Sequence, residues 1–352
     1  MTYKVSKLEG VLLIMAIMVN GLLLNIPSSF LQNASTGLFL NTIYITILAI
    51  IFAVIINRLF KPFDSRDILD VSEYLGGKPL KIIVGVLFLC FFILIISTLV
   101  RFMSHALGLV YFNTAPIAFI LLFFLVPVVY INKLGLKAIA RINTIILPLT
   151  IIGIVLIALS LWSTIDFNNL FPILGYGLNE TFLIGTSNIV VFATFTFLYL
   201  LPPFVKEYES YKKISIIATV LSGIYLIFTS TLLLVVFPYI THSNEIMSNF
   251  LLARLVQYGD FIQRIDALFI FSWILATLSY LSITFFFTLS ILKKLLTIKK
   301  ETELAPSLGL IILGISLLLQ RSSHIQFIEQ YVYKFAVLVL VFGLRIFDSV
   351  IR

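Results

Sequence analysis

Asn20-Gly21-Leu22-Leu23-Leu24-Asn25-Ile26-Pro27 lies inside an apolar run that starts near residue 8 and ends near residue 31. Two asparagines, a glycine and a proline in so short a stretch put polar side chains and a missing backbone donor at membrane depth, where no water satisfies them. Two readings stay open. Either the helix unwinds here and offers free N–H and C=O groups to something polar, or it is a proline kink whose freed groups are met by neighbouring helices. Both need the run to be a membrane span, and the composition supplies that: of 352 residues 61% are hydrophobic and 11% charged, with a mean hydropathy of +1.13, against about 25% charged in a soluble domain.

Working outward, apolar runs of span length recur along the whole chain, at about 8–31, 36–57, 80–103, 115–132, 142–163, 181–203, 213–239, 263–292, 305–320 and 326–349. At roughly 20 residues per span this fills the chain and leaves no room for a sizeable soluble catalytic module. Lys4 and Lys7 precede the first run, but no small-x-small cleavage pattern follows it, so it reads as a retained helix. With a cytoplasmic amino terminus, nineteen of the 24 Lys and Arg residues fall on the inside, and only Arg101, Arg254, Arg264, Arg321 and Lys334 fall outside. That bias predicts ten spans with both termini cytoplasmic. It also explains the formal charge of +8 without nucleic acid as a partner.

Little in the sequence points to chemistry. There is no phosphate-cradling glycine loop, no His-Glu-x-x-His and no nucleophile with a base beside it, so no enzyme activity is expected. Cys90 is the only cysteine, and His105, His242 and His324 lie far apart, so neither a disulfide, a metal centre nor a cofactor is expected. The segment 58–80 mixes Arg58, Lys61 and Arg66 with Asp64, Asp67, Asp70 and Glu73. It reads as a solvated cytoplasmic helix laced with opposite charges rather than a carboxylate metal site. On the outer side, Ile246, Phe250, Leu251, Leu255 and Val256 recur at helical spacing, as in a helix that lies on the interface or caps a vestibule.

Interruptions and buried charge remain as the candidates. Span six offers Gly185, then Thr194-Phe195-Thr196, then Pro202-Pro203; Pro127 and Pro148 interrupt spans four and five. Arg101 ends span three, while Arg264 and Asp266 open span eight, either as functional charges or as interfacial snorkellers. Trp273, Thr277, Tyr280 and Thr284 share one face of span eight, and a polar stripe in lipid turns inward.

These residues carry a resemblance. Glu9-Gly10 leading to the break at Gly21 to Pro27, the run Asn168-Asn169-Leu170-Phe171-Pro172-Ile173-Leu174-Gly175-Tyr176-Gly177 after span five, the position of Arg101, and Gln263-Arg264-Ile265-Asp266 followed by Trp273 all match one family in order. The chain resembles the spore germination permeases, the B subunits of nutrient germinant receptors, within the amino acid, polyamine and organocation superfamily. The resemblance implies an all-α, leucine-transporter-like fold of five plus five inverted helices, with repeats at about 8–163 and 181–349 and with spans one and six broken. It further implies a nutrient, an amino acid or a nucleoside, held by Asn20, Gly21, Leu22, Asn25, Phe91, Thr194, Phe195, Thr196, Tyr280 and Thr284. Pro27, Arg101, Pro172, Arg264, Asp266 and Trp273 would then act in structure or gating. A and C subunits would be partners in the spore inner membrane.

Two departures bear on mechanism. Family members often carry a glutamate on span six after Phe-x-Gly, where this chain has Phe192-Ala193-Thr194-Phe195-Thr196. Proton-driven relatives use a lysine on span five, and none lies between Ile142 and Ser163. Both favour sensing over transport, that is, a receptor over a proton- or sodium-coupled amino acid transporter; a scaffold with a vestigial pocket is a third, weaker reading. A neutral lining suits a zwitterion or an uncharged ligand, since an unpaired buried charge is costly.

Overall fold

The computed structural model describes residues 3–23, 34–63, 65–237, 248–256, 265–298, 300–319 and 328. Among them every regular element is helical. The longer helices are α1 (Lys7–Leu23), α2 (Leu38–Phe60), α3 (Ile68–Val110), α4 (Ile117–Leu134) and α5 (Leu136–Ser160). After the irregular span six with its single α-helical turn α6 (Phe195–Leu198) come α7 (Tyr208–Val236), α8 (Ser248–Leu255), α9 (Ile265–Leu296) and α10 (Ala305–Leu318). Six helical stretches among the described residues are long and apolar enough to cross a membrane. The tenth expected span, 326–349, lies outside the described residues apart from residue 328.

Apolar residues on both sides of a helix mark a bilayer element, and α4 shows it. Phe124 and Val128 are fully buried, while Phe119, Phe123, Val126 and Tyr130 are exposed on the other face. Helix starts are set by local chemistry. Ser6 and Glu9 form a reciprocal capping box at α1, with the Ser6 N–H donating to Glu9 Oε2 at 2.8 Å and the Glu9 N–H to Ser6 Oγ at 3.3 Å. Asp67 caps α3 in the same way, taking the N–H groups of Leu69 and Asp70 at 3.1 Å each. Within α3 the chain turns at Gly77, whose φ of 68° suits a residue without a Cβ. A short amphipathic helix therefore precedes the span proper, and Pro79 follows the turn.

Packing sorts the helices. α7 packs on both α1 and α2, and span six lies against α1 and α2. α3, α4, α9 and α10 form a second group, joined to the first where α9 and α5 meet α1. The pairs α2 with α7, α3 with α9 and α4 with α10 are spans two with seven, three with eight and four with nine, the pairing that a five-plus-five arrangement requires. The seam between α2 and α7 is tight because Gly223 faces Thr46 with no room for a Cβ. Asn57 and Ser215 bridge it by side-chain hydrogen bonds of 2.7 and 2.9 Å.

Two expectations change. The 58–80 segment is not solvated throughout: Ile68, Leu69, Val71 and Ser72 are buried, and so is the Asp67 carboxylate, because Lys294 at the end of α9 reaches Asp67 and Asp70 at 2.6 Å each. In the segment 240–262, α8 seats on α7 and α9 and buries Leu252, Ala253 and the expected Val256 but leaves Leu255 exposed, while Ile246 and the side chains of Phe250 and Leu251 lie outside the described residues.

Candidate functional site

Span six departs from α-helical geometry over most of its length. Residues Asn179–Leu183 form a π-helical turn and Ile184–Thr194 a 3-10 helix kinked at Phe192, and only Phe195–Leu198 are α-helical before Pro202 and Pro203 close the span in a further 3-10 turn. The local sequence explains this: Thr181, Ile184, Thr186, Ile189, Val190, Val191 and Thr194 are β-branched, and Gly185, Ser187 and Asn188 also disfavour the α-helix. A long 3-10 stretch inside a helix often marks a functional hinge. Its amino-terminal half is tied to α2, since Asn41 donates to the Thr181 carbonyl at 2.7 Å and Asn188 donates to Asn41 Oδ1 at 2.8 Å. Thr36 Oγ1 donates to the carbonyl of Pro172 at 2.6 Å, fixing the loop that leads into the span.

Asn20 lies in continuous helix, since α1 runs regularly to Leu23. Asn25, Pro27 and Arg264 lie outside the described residues, as do the side chains of Leu22 and Asp266. The Asn20 side chain is 3% exposed, and among the described residues neither its Nδ2 nor its Oδ1 has a hydrogen-bond partner. It borders a cavity of about 10 Å³ with Ala16, Val19, Ile146, Leu147, Thr150, Ala276 and Ser279, roughly the room one water needs. Ser279, on its wall, donates to Asn143. The first span's polar residue thus meets spans five and eight, and Asn143, Thr150 and Ser279 join the candidates. Their signal in the sequence is the spacing of Asn143, Leu147, Thr150 and Ile154, one buried face of α5.

On span six, Thr194 Oγ1 is likewise buried without a partner among the described residues, Phe195 stacks on Phe192 with ring centres 5.7 Å apart, and Thr196 is fully buried. The α9 stripe turns inward as its spacing predicts: Trp273, Thr277 and Thr284 are fully buried and Tyr280 is 8% exposed. Trp273 Nε1 has no partner, while the Thr284 hydroxyl is spent on the Tyr280 carbonyl at 2.9 Å. Phe91 is buried on α3 with its ring 6.0 Å from Phe92, and Arg101 is buried at 7% exposure.

Below Thr194 and Thr196 the interior is filled by rings. Phe197 stacks on Phe92 at 4.6 Å and meets Tyr280 at 6.4 Å and Phe287 at 5.6 Å, and Phe204 packs on Phe286 and Phe287. The amino-terminal segment straps over this end. Lys4 Nζ donates to the carbonyls of Pro203 at 2.7 Å and Val205 at 3.0 Å, and the Val5 N–H donates to Phe204 at 2.9 Å. The Lys294 pair with Asp67 and Asp70 adds a charged tie at the same end. Burial, helped by the charge of Asp70 and opposed by Lys294, raises the Asp67 carboxyl to about 6. At Asp70 burial also works upward, but the hydrogen bond and charge of Lys294 outweigh it and leave that carboxyl below its ordinary value. Among the described residues no three His, Cys, Asp or Glu side chains come together as a metal site.

Solved structures share this architecture at low identity. A Na+-coupled sialic acid symporter in a substrate-bound outward-open state superposes with a TM-score of 0.66 at 13% identity, over 96% of this chain and 79% of that one. MhsT in complex with L-phenylalanine gives 0.60 at 14%, over 100% and 99%. The leucine-transporter fold is therefore shared. Among curated proteins of Bacillus subtilis (strain 168), spore germination protein YndE is 26% identical over 229 residues, 64% of this chain and just under two thirds, 63%, of that protein. Spore germination protein B2 is 22% identical over 279 residues, 77% and 74% of the two chains, and spore germination protein KB is 24% identical over 306 residues, 84% and 78%. A family model described as spore germination protein matches residues 4–325, from the strap at Lys4 past the end of α10, and this integral membrane protein belongs to that family.

Proposed function

We propose that the protein is the nutrient-binding membrane subunit of a spore germinant receptor. The observation that carries the reading is Asn20: an amide buried to 3% exposure with both polar atoms unpaired, at the span where the family resemblance puts the ligand. Such a group is costly to keep and is expected where something polar will meet it. Thr194, on the irregular span six, shows the same signature. The ligand is a small neutral or zwitterionic nutrient, an amino acid or a nucleoside, held between spans one and six with Phe91, Tyr280 and the α9 stripe completing the pocket. Gly21, Leu22, Asn25, Phe195, Thr196 and Thr284 belong to the same site, and Pro27, Pro172, Arg101, Arg264, Asp266 and Trp273 serve its structure or gating. The repeats run over about 8–163 and 181–349. The protein lies in the spore inner membrane with both termini cytoplasmic, and A and C subunits read its conformation. Nutrient shifts the bundle only by its differential affinity for two states.

The fold of its structural neighbours, one of them titled a symporter, favours a second reading, a secondary transporter for amino acids. One experiment separates the two. Purified protein in liposomes is given a radiolabelled amino acid and nucleoside panel with and without sodium and proton gradients, beside equilibrium binding of the same panel. Saturable binding without accumulation is the expected outcome; gradient-driven accumulation would replace the receptor by the transporter.

A further inference from the structure

At the basic end of the bundle, a cleft of about 60 Å³ opens between the end of α2, the short helix before Gly77 and the start of the α3 span. Leu59, Phe63, Leu75, Leu80, Val84 and Tyr199 line it with almost wholly apolar surface. Its volume is several times what a single water needs, and an apolar hollow of this kind holds hydrocarbon rather than water.

Two rows of side chains lead from the cleft along the lipid-facing surface. On α2, Leu59 continues through Ile55 to Ile51 and Ile47, the last two half exposed. On α3, Leu80 and Val84 continue to Ile83 and Leu87, also exposed. The cleft is thus contiguous with the surface that faces acyl chains.

Its rim is cationic. Lys61 shares a helical turn with Phe63. Arg66 sits 5.6 Å from the centre of the Tyr74 ring, and that ring is 6.0 Å from Phe63, which places the guanidinium beside the mouth. Lys78 lies two residues before Leu80. All three cations are exposed, and among the described residues none is paired with a carboxylate, whereas nearby Lys81 is tied to Glu73 at 2.6 Å. Unpaired cations next to a hydrocarbon slot match one amphiphile, a chain with an anionic head.

We propose that this cleft binds an anionic phospholipid from the leaflet at the basic end, with an acyl chain between α2 and α3 and its phosphate met by Lys61, Arg66 and Lys78. Basic pockets between membrane helices recognise lipid heads through the same two features. A lipid seated there touches both Tyr199 at the foot of span six and the helix capped by Asp67, so its occupancy bridges the two.

The test is native mass spectrometry of the full-length protein in neutral detergent, titrated with phosphatidylglycerol, phosphatidylcholine or glycerol phosphate. One phosphatidylglycerol held in preference to phosphatidylcholine is expected. Combining Lys61→Gln, Arg66→Gln and Lys78→Gln should weaken it about fivefold for each cation removed, while Lys212→Gln with Lys213→Gln leaves it unchanged. Leu75→Trp, at a half-buried position on the wall, should block it. Equal retention of the two phospholipids, an unchanged triple variant, or equal binding of glycerol phosphate overturns the proposal. A photo-crosslinking residue at position 75 should label phospholipid in native membranes; labelling a polypeptide instead overturns it too.

Discussion

Asn20 has two opposed costs, one to the fold and one to binding. Its buried amide lacks both partners among the described residues, so Asn20→Leu, which keeps the same branching and number of heavy atoms, should relieve roughly 1–3 kcal/mol of unmet desolvation. The thermal midpoint in detergent should rise while nutrient binding falls below detection. A drop in midpoint with binding retained would show that Asn20 is an ordinary structural residue. Asn20 was legible because an asparagine in an apolar span stands out. Asn143, Thr150 and Ser279 were not, because periodicity assigns a residue to a face of its own helix and says nothing of which helix lies opposite. Trp273, Thr277, Tyr280 and Thr284 illustrate the part that periodicity does deliver: their shared face is the buried one.

Helix-level features answer to the surroundings of each element. The ten-span pattern located α2, α4, α7 and α9 to within about five residues, since hydrophobic length alone sets a span, whereas α5 starts ahead of the expected 142 and α3 (Ile68–Val110) outruns the expected 80–103 at both ends. It could not foresee that span six would wind as 3-10 helix, because hydrophobic length does not distinguish one helix type from another, or that the charged helix before Gly77 would be half buried, because that depends on a partner distant in sequence. Lys294, for example, is 227 residues from Asp67. That tie carries a pH dependence. The folded carboxyl of Asp67 lies above its unfolded value of about 3.9, so the stability it contributes is present at low pH and is lost as pH rises through about 6. Asp70, shifted downward, contributes stability that is lost as pH falls through its folded value. The midpoint of thermal unfolding should therefore be higher at pH 5 than at pH 7.5 and fall again under stronger acid. Asp67→Asn, which keeps the helix cap, should remove the rise between pH 7.5 and 5. The seam between α2 and α7 gives a simpler prediction. Gly223→Leu has no space against Thr46 and should lower stability by about 1–3 kcal/mol or more, read as a lower midpoint and loss of monodisperse protein on a sizing column.

Taken whole, the protein divides into two packed groups of helices joined at one end by the ring cluster, while the amino-terminal strap ties the first group within itself and Lys294 ties the second. A nutrient that binds this arrangement and not the unfolded chain stabilises it by mass action, about 2.7 kcal/mol at a hundred times its dissociation constant. Thermal shifts across the nutrient panel should single out the same compounds as equilibrium binding, and the Asn20→Leu protein should show none; a shift that survives there would place the ligand elsewhere. The strap also bears on how the chain is made. Lys4 and its acceptor at Pro203 are 199 residues apart, and at 5–20 residues per second the ribosome needs roughly 10–40 s to travel from one to the other. During that interval the first span is in the bilayer with its terminal lysine untethered and its buried asparagine facing lipid or early neighbours. A slow stretch of translation before residue 203 would lengthen that exposure, so the yield of assembled protein is tied to elongation rate as well as to final stability.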